Sequence, residues 1–200
     1  TNCAFTNNSG SHGGGLFVWR SSSVRVVDCT FTSNAVTDHG GAIYSDAGLY
    51  IARSTLTGNS SASTGGAIRN SGASPTITAC VFDGNTTSGS GGAVYSETGP
   101  ATITNCVFLS NQAGLGGAVR NIDSAGPIMN CTFYANAATT EGGGLHTSGA
   151  GAPVTNCIFW ANTPAQVQGT TRVIYSDVQD GYTGRRNISE DPRFVEGSFL

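Results

Sequence analysis

The chain has no lysine; its nine basic residues are all arginines, set against twelve carboxylates for a net charge of −3. Charged residues make up 10% of the 200 positions, well under half the ~25% of ordinary soluble domains. So little positive charge excludes a nucleic-acid binder, which needs a basic face to neutralise phosphates. It also leaves no strong steering field. No run of ~18 apolar residues occurs, so no membrane-spanning helix is expected in this stretch. Nothing in this stretch reads as a secretory signal peptide. The chain opens at Thr1 and stops at Leu200, which reads as a processed product or a piece of a longer protein. Glycine, serine and asparagine recur too often for long helices. Glycine itself is abundant, 29 of 200, about twice the average share. A disordered linker can share this composition, but its apolar residues hold no register.

Here they do. The unit is C-x-F-x-x-N, followed ten or eleven residues after the cysteine by G-G-[AG]-[ILV]. The cysteine column runs Cys3, Cys29, Ser54, Cys80, Cys106, Cys131, Cys157, with spacings of 26, 25, 26, 26, 25 and 26. The phenylalanine column runs Phe5, Phe31, Leu56, Phe82, Phe108, Phe133, Phe159. The asparagine column has no exception: Asn8, Asn34, Asn59, Asn85, Asn111, Asn136, Asn162. Short runs such as "ATITNCVF" and "GGAVYS" read as strands. A ~25-residue unit of about three short strands, stacked on copies of itself, predicts an all-β parallel β-helix. Seven coils spaced ~4.8 Å apart would make a rod of about 34 Å.

Cysteine and phenylalanine, two apart, share one face of a strand, expected to point inward. An aliphatic residue three before the cysteine (Val26, Ile51, Ile77, Ile103, Ile128, Val154) breaks the period of two. A bend just before the cysteine restores it, and Asp28, Asn105, Asn130 and Asn156 stand there. Asparagine tolerates the left-handed conformation of a sharp turn. The stacked amides of the other asparagine column are expected to bond from coil to coil. At a period of 51 residues, "GGA[IV]YS[DE]" alternates with "GGA[IV]RN" one coil later, so the duplicated unit spans two coils.

The alternation of FxxN with GGA[ILV] over about residues 1–162 resembles the repeats of the polymorphic membrane proteins. That resemblance implies a right-handed parallel β-helix passenger, displayed extracellularly or on a cell surface, with an adhesive role toward a glycan or a surface protein. The tail "VIYSDVQDGYTGRRNISEDPRFVEGSF" is similar to the end of pectate-lyase-like β-helices in secreted bacterial proteins with a variable C-terminal anchor. The pectinolytic members imply an enzymatic alternative, with clustered aspartates for calcium or acid–base work.

Several columns are candidate sites. Phe17, Tyr44, Arg69, Tyr95, Arg120 and His146 follow the aliphatic residue of the glycine motif and should point outward. They form either a ligand stripe, with aromatics for sugar rings and arginines for carboxylates, or a cation–π ladder that satisfies itself. Leu109, Tyr134 and Trp160 should make an outward apolar strip, open to a partner or covered by Ile174, Val178, Phe194, Val195 and Phe199 of the tail. His12, His39 and Asp38 sit on neighbouring coils and combine metal-ligand types. With no fourth ligand evident, the expectation is solvated loop residues and no resident metal or cofactor, calcium remaining the one ion that the resemblance raises. In-register cysteines would hold their Cβ atoms ~4.8 Å apart, wider than the ~3.8 Å of a disulfide, so free buried thiols are expected. Catalytic residues are not expected: Asp46 and Glu97 share a column, but Ser71 stands between them.

After Asn162 the glycine pair does not return, and nine of the charged residues fall in 163–200. The repeats are therefore expected to span 1–162, with 163–200 as a cap packed on the last coils. The open first coil presents unpaired strand edges, which would also suit end-to-end self-assembly.

Overall fold

The computed structural model describes residues 1–20 and 23–195. Among these there is no helix, and every strand pairing between coils is parallel. The chain winds as a β-solenoid with four faces rather than about three. The first carries the cysteine and phenylalanine columns in eight strands, from Ala4–Thr6 to Asp177–Val178. A short second face has six strands, from Ser9–His12 to Ala137–Glu141. The third follows the glycine pairs in seven strands, from Leu16–Val18 to Val167–Gly169. The fourth holds the aliphatic column in seven strands, from Ser23–Val27 to Arg172–Ile174. Two faces thus have the seven rungs expected. The short face escapes a reading by hydrophobic alternation because strands such as Ser60–Ser61 and Thr86–Thr87 contain no apolar residue.

Left-handed corners flank the first face on both sides. Asp28, Asn105, Asn130 and Asn156 have φ of 54–55°, as their column predicts. The other corner, just before each ladder asparagine, is also left-handed, at Asn7, Ser33, Gly58, Gly84, Ser110, Ala135 and Ala161. It leaves no sequence signature, because its occupant varies.

Between the corners, Phe31, Phe82, Phe108, Phe133 and Phe159 are fully buried. Phe82 through Phe159 stack at 4.4–4.9 Å and nearly parallel. Burying each phenylalanine is worth roughly 1.5–3 kcal/mol. Ile51, Ile77, Ile103, Ile128 and Val154 close the core from the fourth face, all without exposure. The six cysteines are free thiols, all buried except Cys3. Each points its sulfur at the carbonyl two residues back, as Cys131 does to Met129 at 3.1 Å. Ser54 makes the same bond to Ala52 at 2.8 Å, so the hydroxyl substitutes without breaking the column. Burial pushes the Cys106 and Cys157 thiols well above their ordinary value.

The asparagine ladder runs through the interior. Oδ1 of Asn85 accepts from the backbone N–H and the Nδ2 of Asn59, at 3.0 and 2.9 Å. Nδ2 of Asn85 donates to the Leu56 carbonyl at 2.9 Å and to Oδ1 of Asn111 at 3.0 Å. Both donors and both acceptor positions of a fully buried amide are thereby used. The same pattern carries on to Asn162, where Oε1 of Gln166 takes the place of the next asparagine. The ladders therefore continue past Asn162: three faces gain a further strand, Val167–Gly169, Arg172–Ile174 and Asp177–Val178.

Candidate functional site

The third face brings the predicted stripe into one row. Cα pairing runs Phe17, Tyr44, Arg69, Tyr95, Arg120, His146 and then Gln168. Its members differ in access. Phe17 is 45% exposed, whereas Tyr95, Arg69, Arg120 and His146 are 7–8% exposed. Side chains from the segment before the glycine pair reach over the row: His12 lies edge-on to Tyr44 at 5.2 Å, and Glu141 Oε2 is 2.9 Å from His146 Nε2.

The buried part of the row mostly satisfies itself. The Arg69 guanidinium lies 4.2 Å over the Tyr95 ring, and its Nη2 donates to Glu97 Oε1 at 2.7 Å. The Tyr95 hydroxyl donates to Glu97 Oε2 at 2.9 Å. Burial alone would raise the Glu97 carboxyl, but the Arg69 and Tyr95 bonds outweigh it and hold it below its ordinary value. One coil on, Arg120 Nη1 meets His146 Nδ1, and its Nη2 donates to Ser148 at 3.1 Å. Desolvation lowers the Arg120 pKa. Buried without a hydrogen-bond partner among the described residues are Nε of both arginines and, one position beyond the row on its strands, Oδ1 of Asn70, both amide atoms of Asn121 and Oγ1 of Thr147. The stripe is contiguous, as its spacing predicts, but its arginines face their neighbours rather than solvent.

Leu109, Tyr134 and Trp160 are adjacent and half-buried. Phe194 packs edge-on against Tyr134 at 5.3 Å. Ile174 and Val178 belong to the ladders themselves, Val195 is 72% exposed, and Phe199 lies outside the described residues. Asp46 accepts from the Arg20 N–H at 2.7 Å. Glu97 pairs in register with Ser71 and Ile122, so its own column places no carboxylate beside it on the neighbouring coils. Among the described residues, His12, Asp38 and His39 form a group of three with metal-ligand chemistry.

A concave region the motif columns did not mark lies at the C-terminal corner of the first face. It has a volume of about 580 Å³ and is lined by Asn105, Asn130, Asn156, Tyr175, Asp177 and Arg186, among others. The three asparagines form a second, exposed ladder: Nδ2 of Asn130 donates to Oδ1 of Asn105 at 3.1 Å, and Nδ2 of Asn156 to Oδ1 of Asn130 at 2.8 Å. Tyr175, 38% exposed, stands at the next corner with φ of 53°. The guanidinium groups of Arg185 and Arg186 lie 5.6 and 6.0 Å from its ring centre. The signal in the sequence was the run of asparagines at the bend itself. A left-handed corner turns its side chain outward, so these residues serve the turn and the surface at once.

Coils of 25–26 residues stacked in parallel, with polar ladders inside and out, agree with a sequence-family match over residues 14–178, described as a right-handed beta helix region. The chain belongs to the right-handed β-helix family. No curated protein and no solved structure matches it. Within a β-helix, the faces are scaffold and chemistry resides in the outward residues of particular coils. Among the described residues no helix is long and apolar enough to cross a membrane.

Proposed function

We propose that this β-helix is a non-enzymatic binding module, secreted or displayed on a cell surface, that contacts an extended polar glycan through its C-terminal asparagine groove. The observation that carries the reading is the exposed ladder Asn105–Asn130–Asn156, ending at Tyr175 and Arg186. Amide groups repeating at the ~4.8 Å coil spacing offer a donor and an acceptor per step to hydroxyl groups along a chain. An aromatic face and a guanidinium at one end add stacking and a carboxylate contact. The interior stripe is the weaker candidate, because Arg69, Tyr95, Arg120 and His146 already use one another and Glu97. The FxxN and GGA[ILV] repeats, similar to those of polymorphic membrane proteins, support display outside the cell and an adhesive role.

A glycan array tests this, with far-UV circular dichroism to confirm folding of each variant. Tyr175→Ala and Asn130→Gly, the latter chosen to keep the left-handed corner, should each weaken binding at least tenfold. Tyr95→Ala and Arg120→Ala should leave it unchanged. Loss of binding in the stripe variants alone would move the site to the third face. Absence of any glycan binding by the unaltered chain would overturn the reading.

A further inference from the structure

We propose that His12, Asp38 and His39 form a binding site for a divalent transition-metal ion of the zinc type. The two histidines come from adjacent coils of the short face and are Cα partners. His12 Nε2 is 3.4 Å from one Asp38 oxygen, and His39 Nε2 is 3.1 Å from the other. One ligand atom from each of the three residues lies within 4.8 Å of the other two. An ion bound tetrahedrally at ~2.0–2.1 Å separates its ligand atoms by about 3.3–3.4 Å, so the three groups are near enough to share one ion after a small rotation of the Asp38 carboxylate, whose two oxygens now face one histidine each.

The backbone builds this arrangement. Between Gly10 and His12 the chain advances two residues, while its partner advances three, from Val36 to His39. That extra residue is a β-bulge, and a bulge re-aims a side chain that regular alternation would send to the opposite face. It lets Asp38 and His39, adjacent in sequence, converge on the histidine of the coil next to them. Spacing puts the three residues on neighbouring coils, but not Asp38 on the same side as His39, since neighbouring strand residues ordinarily point apart.

The surroundings orient the ligands. His39 Nδ1 is 2.8 Å from Thr64 Oγ1 on the following coil. With Nδ1–H donating to that hydroxyl, the Nε2 lone pair is left for a metal, which is how an outer hydrogen bond fixes a ligating imidazole. The His12 ring is held edge-on between Tyr44 at 5.2 Å and Phe17 at 6.1 Å. The three side chains are 27–44% exposed, so solvent or an outside ligand can complete the coordination. Two imidazoles and one carboxylate suit zinc, copper or nickel; calcium and magnesium prefer all-oxygen sets.

The test is titration of the full chain, stripped with chelator, with Zn²⁺ alone, followed by calorimetry and by NMR of the histidine rings. One equivalent should bind, shifting His12 and His39 while His146, the third histidine of the chain, serves as an internal reference that stays put. His12→Gln and Asp38→Asn should each weaken binding at least tenfold. Thr64→Val should weaken it roughly tenfold without changing the stoichiometry. Ca²⁺ at the same concentration should not shift the two rings. These residues are half-exposed, so the variants should remain folded, which circular dichroism checks. No saturable binding of Zn²⁺, or binding that persists undiminished in a His12→Gln, His39→Gln double variant, would overturn the proposal.

Discussion

At the scale of single residues, the chain solves one problem repeatedly: how to bury polar side chains in a core that is otherwise aliphatic and aromatic. A buried amide without partners is costly, and each ladder asparagine removes that cost for itself, for one backbone N–H and for one carbonyl. Asn85 shows what is at stake. Replacing it with alanine strips the Asn59 N–H and the Leu56 carbonyl of these bonds and takes one of two from the Asn59 Nδ2, which keeps the Phe31 carbonyl. At 1–3 kcal/mol for each unsatisfied buried group, the loss should be on the order of 4 kcal/mol. Urea unfolding should register it as a clear fall in midpoint. Asn130→Gly, at an exposed corner, should cost no more than about 1 kcal/mol. Equal costs at the two positions would mean that the interior ladder is not what holds the coils together. The cysteine column illustrates a simpler solution, a small side chain that bonds weakly back across the corner to the end of the preceding strand, which is why serine can replace it at position 54.

At the scale of elements, legibility in the sequence followed from how narrow the physical requirement was at each position. The phenylalanine, asparagine and aliphatic columns admit few residue types, so their register exposes the coil and its stacking. The left-handed bend before the cysteine was legible because asparagine and aspartate favour it. The second bend was not, because serine, glycine and alanine all serve there. The short polar face was hidden for a related reason: Ser60–Ser61 and Thr86–Thr87 carry no hydrophobic alternation. The stripe was found as a row, but its low exposure depends on side chains such as Glu141 reaching over it, which no column announces. Likewise the convergence of Asp38 with the two histidines depends on a bulge. The glycine pairs separate two requirements that the sequence shows as one motif. The first glycine, such as Gly65, needs a positive φ, here 67°. The second, Gly66, has no such need, but a Cβ there would run into the Gly92 carbonyl oxygen of the next coil and the backbone at Thr86. Gly66→Ala should therefore force adjacent coils apart. Gly84 is a useful contrast, since a Cβ there meets nothing within 4 Å although φ is 61°. Gly84→Ala should cost only the ~1–2 kcal/mol of left-handed strain, and Gly66→Ala distinctly more, seen as a lower melting temperature or loss of the folded state. A milder effect at Gly66 than at Gly84 would show that coil spacing is slack.

At the scale of the molecule, contacts run almost wholly between a coil and its two neighbours, because every strand pairs only with the strands directly above and below it. Stability is then close to a sum of coil terms and nearest-neighbour interface terms. A lesion in the middle of such a stack should behave differently from one in a globular core, where every element shares the loss. Phe108 is fully buried and stacks on Phe82 at 4.9 Å and Phe133 at 4.7 Å. Phe108→Ala should cost about 3–5 kcal/mol, drawn from its own coil and its two interfaces. Hydrogen exchange read peptide by peptide should show the largest loss of protection around residues 82–84, 107–111 and 132–136. The losses should decline with distance along the axis, so that the Phe31–Leu56 region keeps most of its protection. The proposed groove, one to two coils further on at Asn130 and Asn156, should loosen with the lesion, and glycan affinity should fall with it. The cluster of His12, Asp38 and His39, on the far side, should keep its affinity for Zn²⁺. A uniform drop across all peptides would instead mark the rod as a single cooperative unit, and a change at one end would then be felt at both sites.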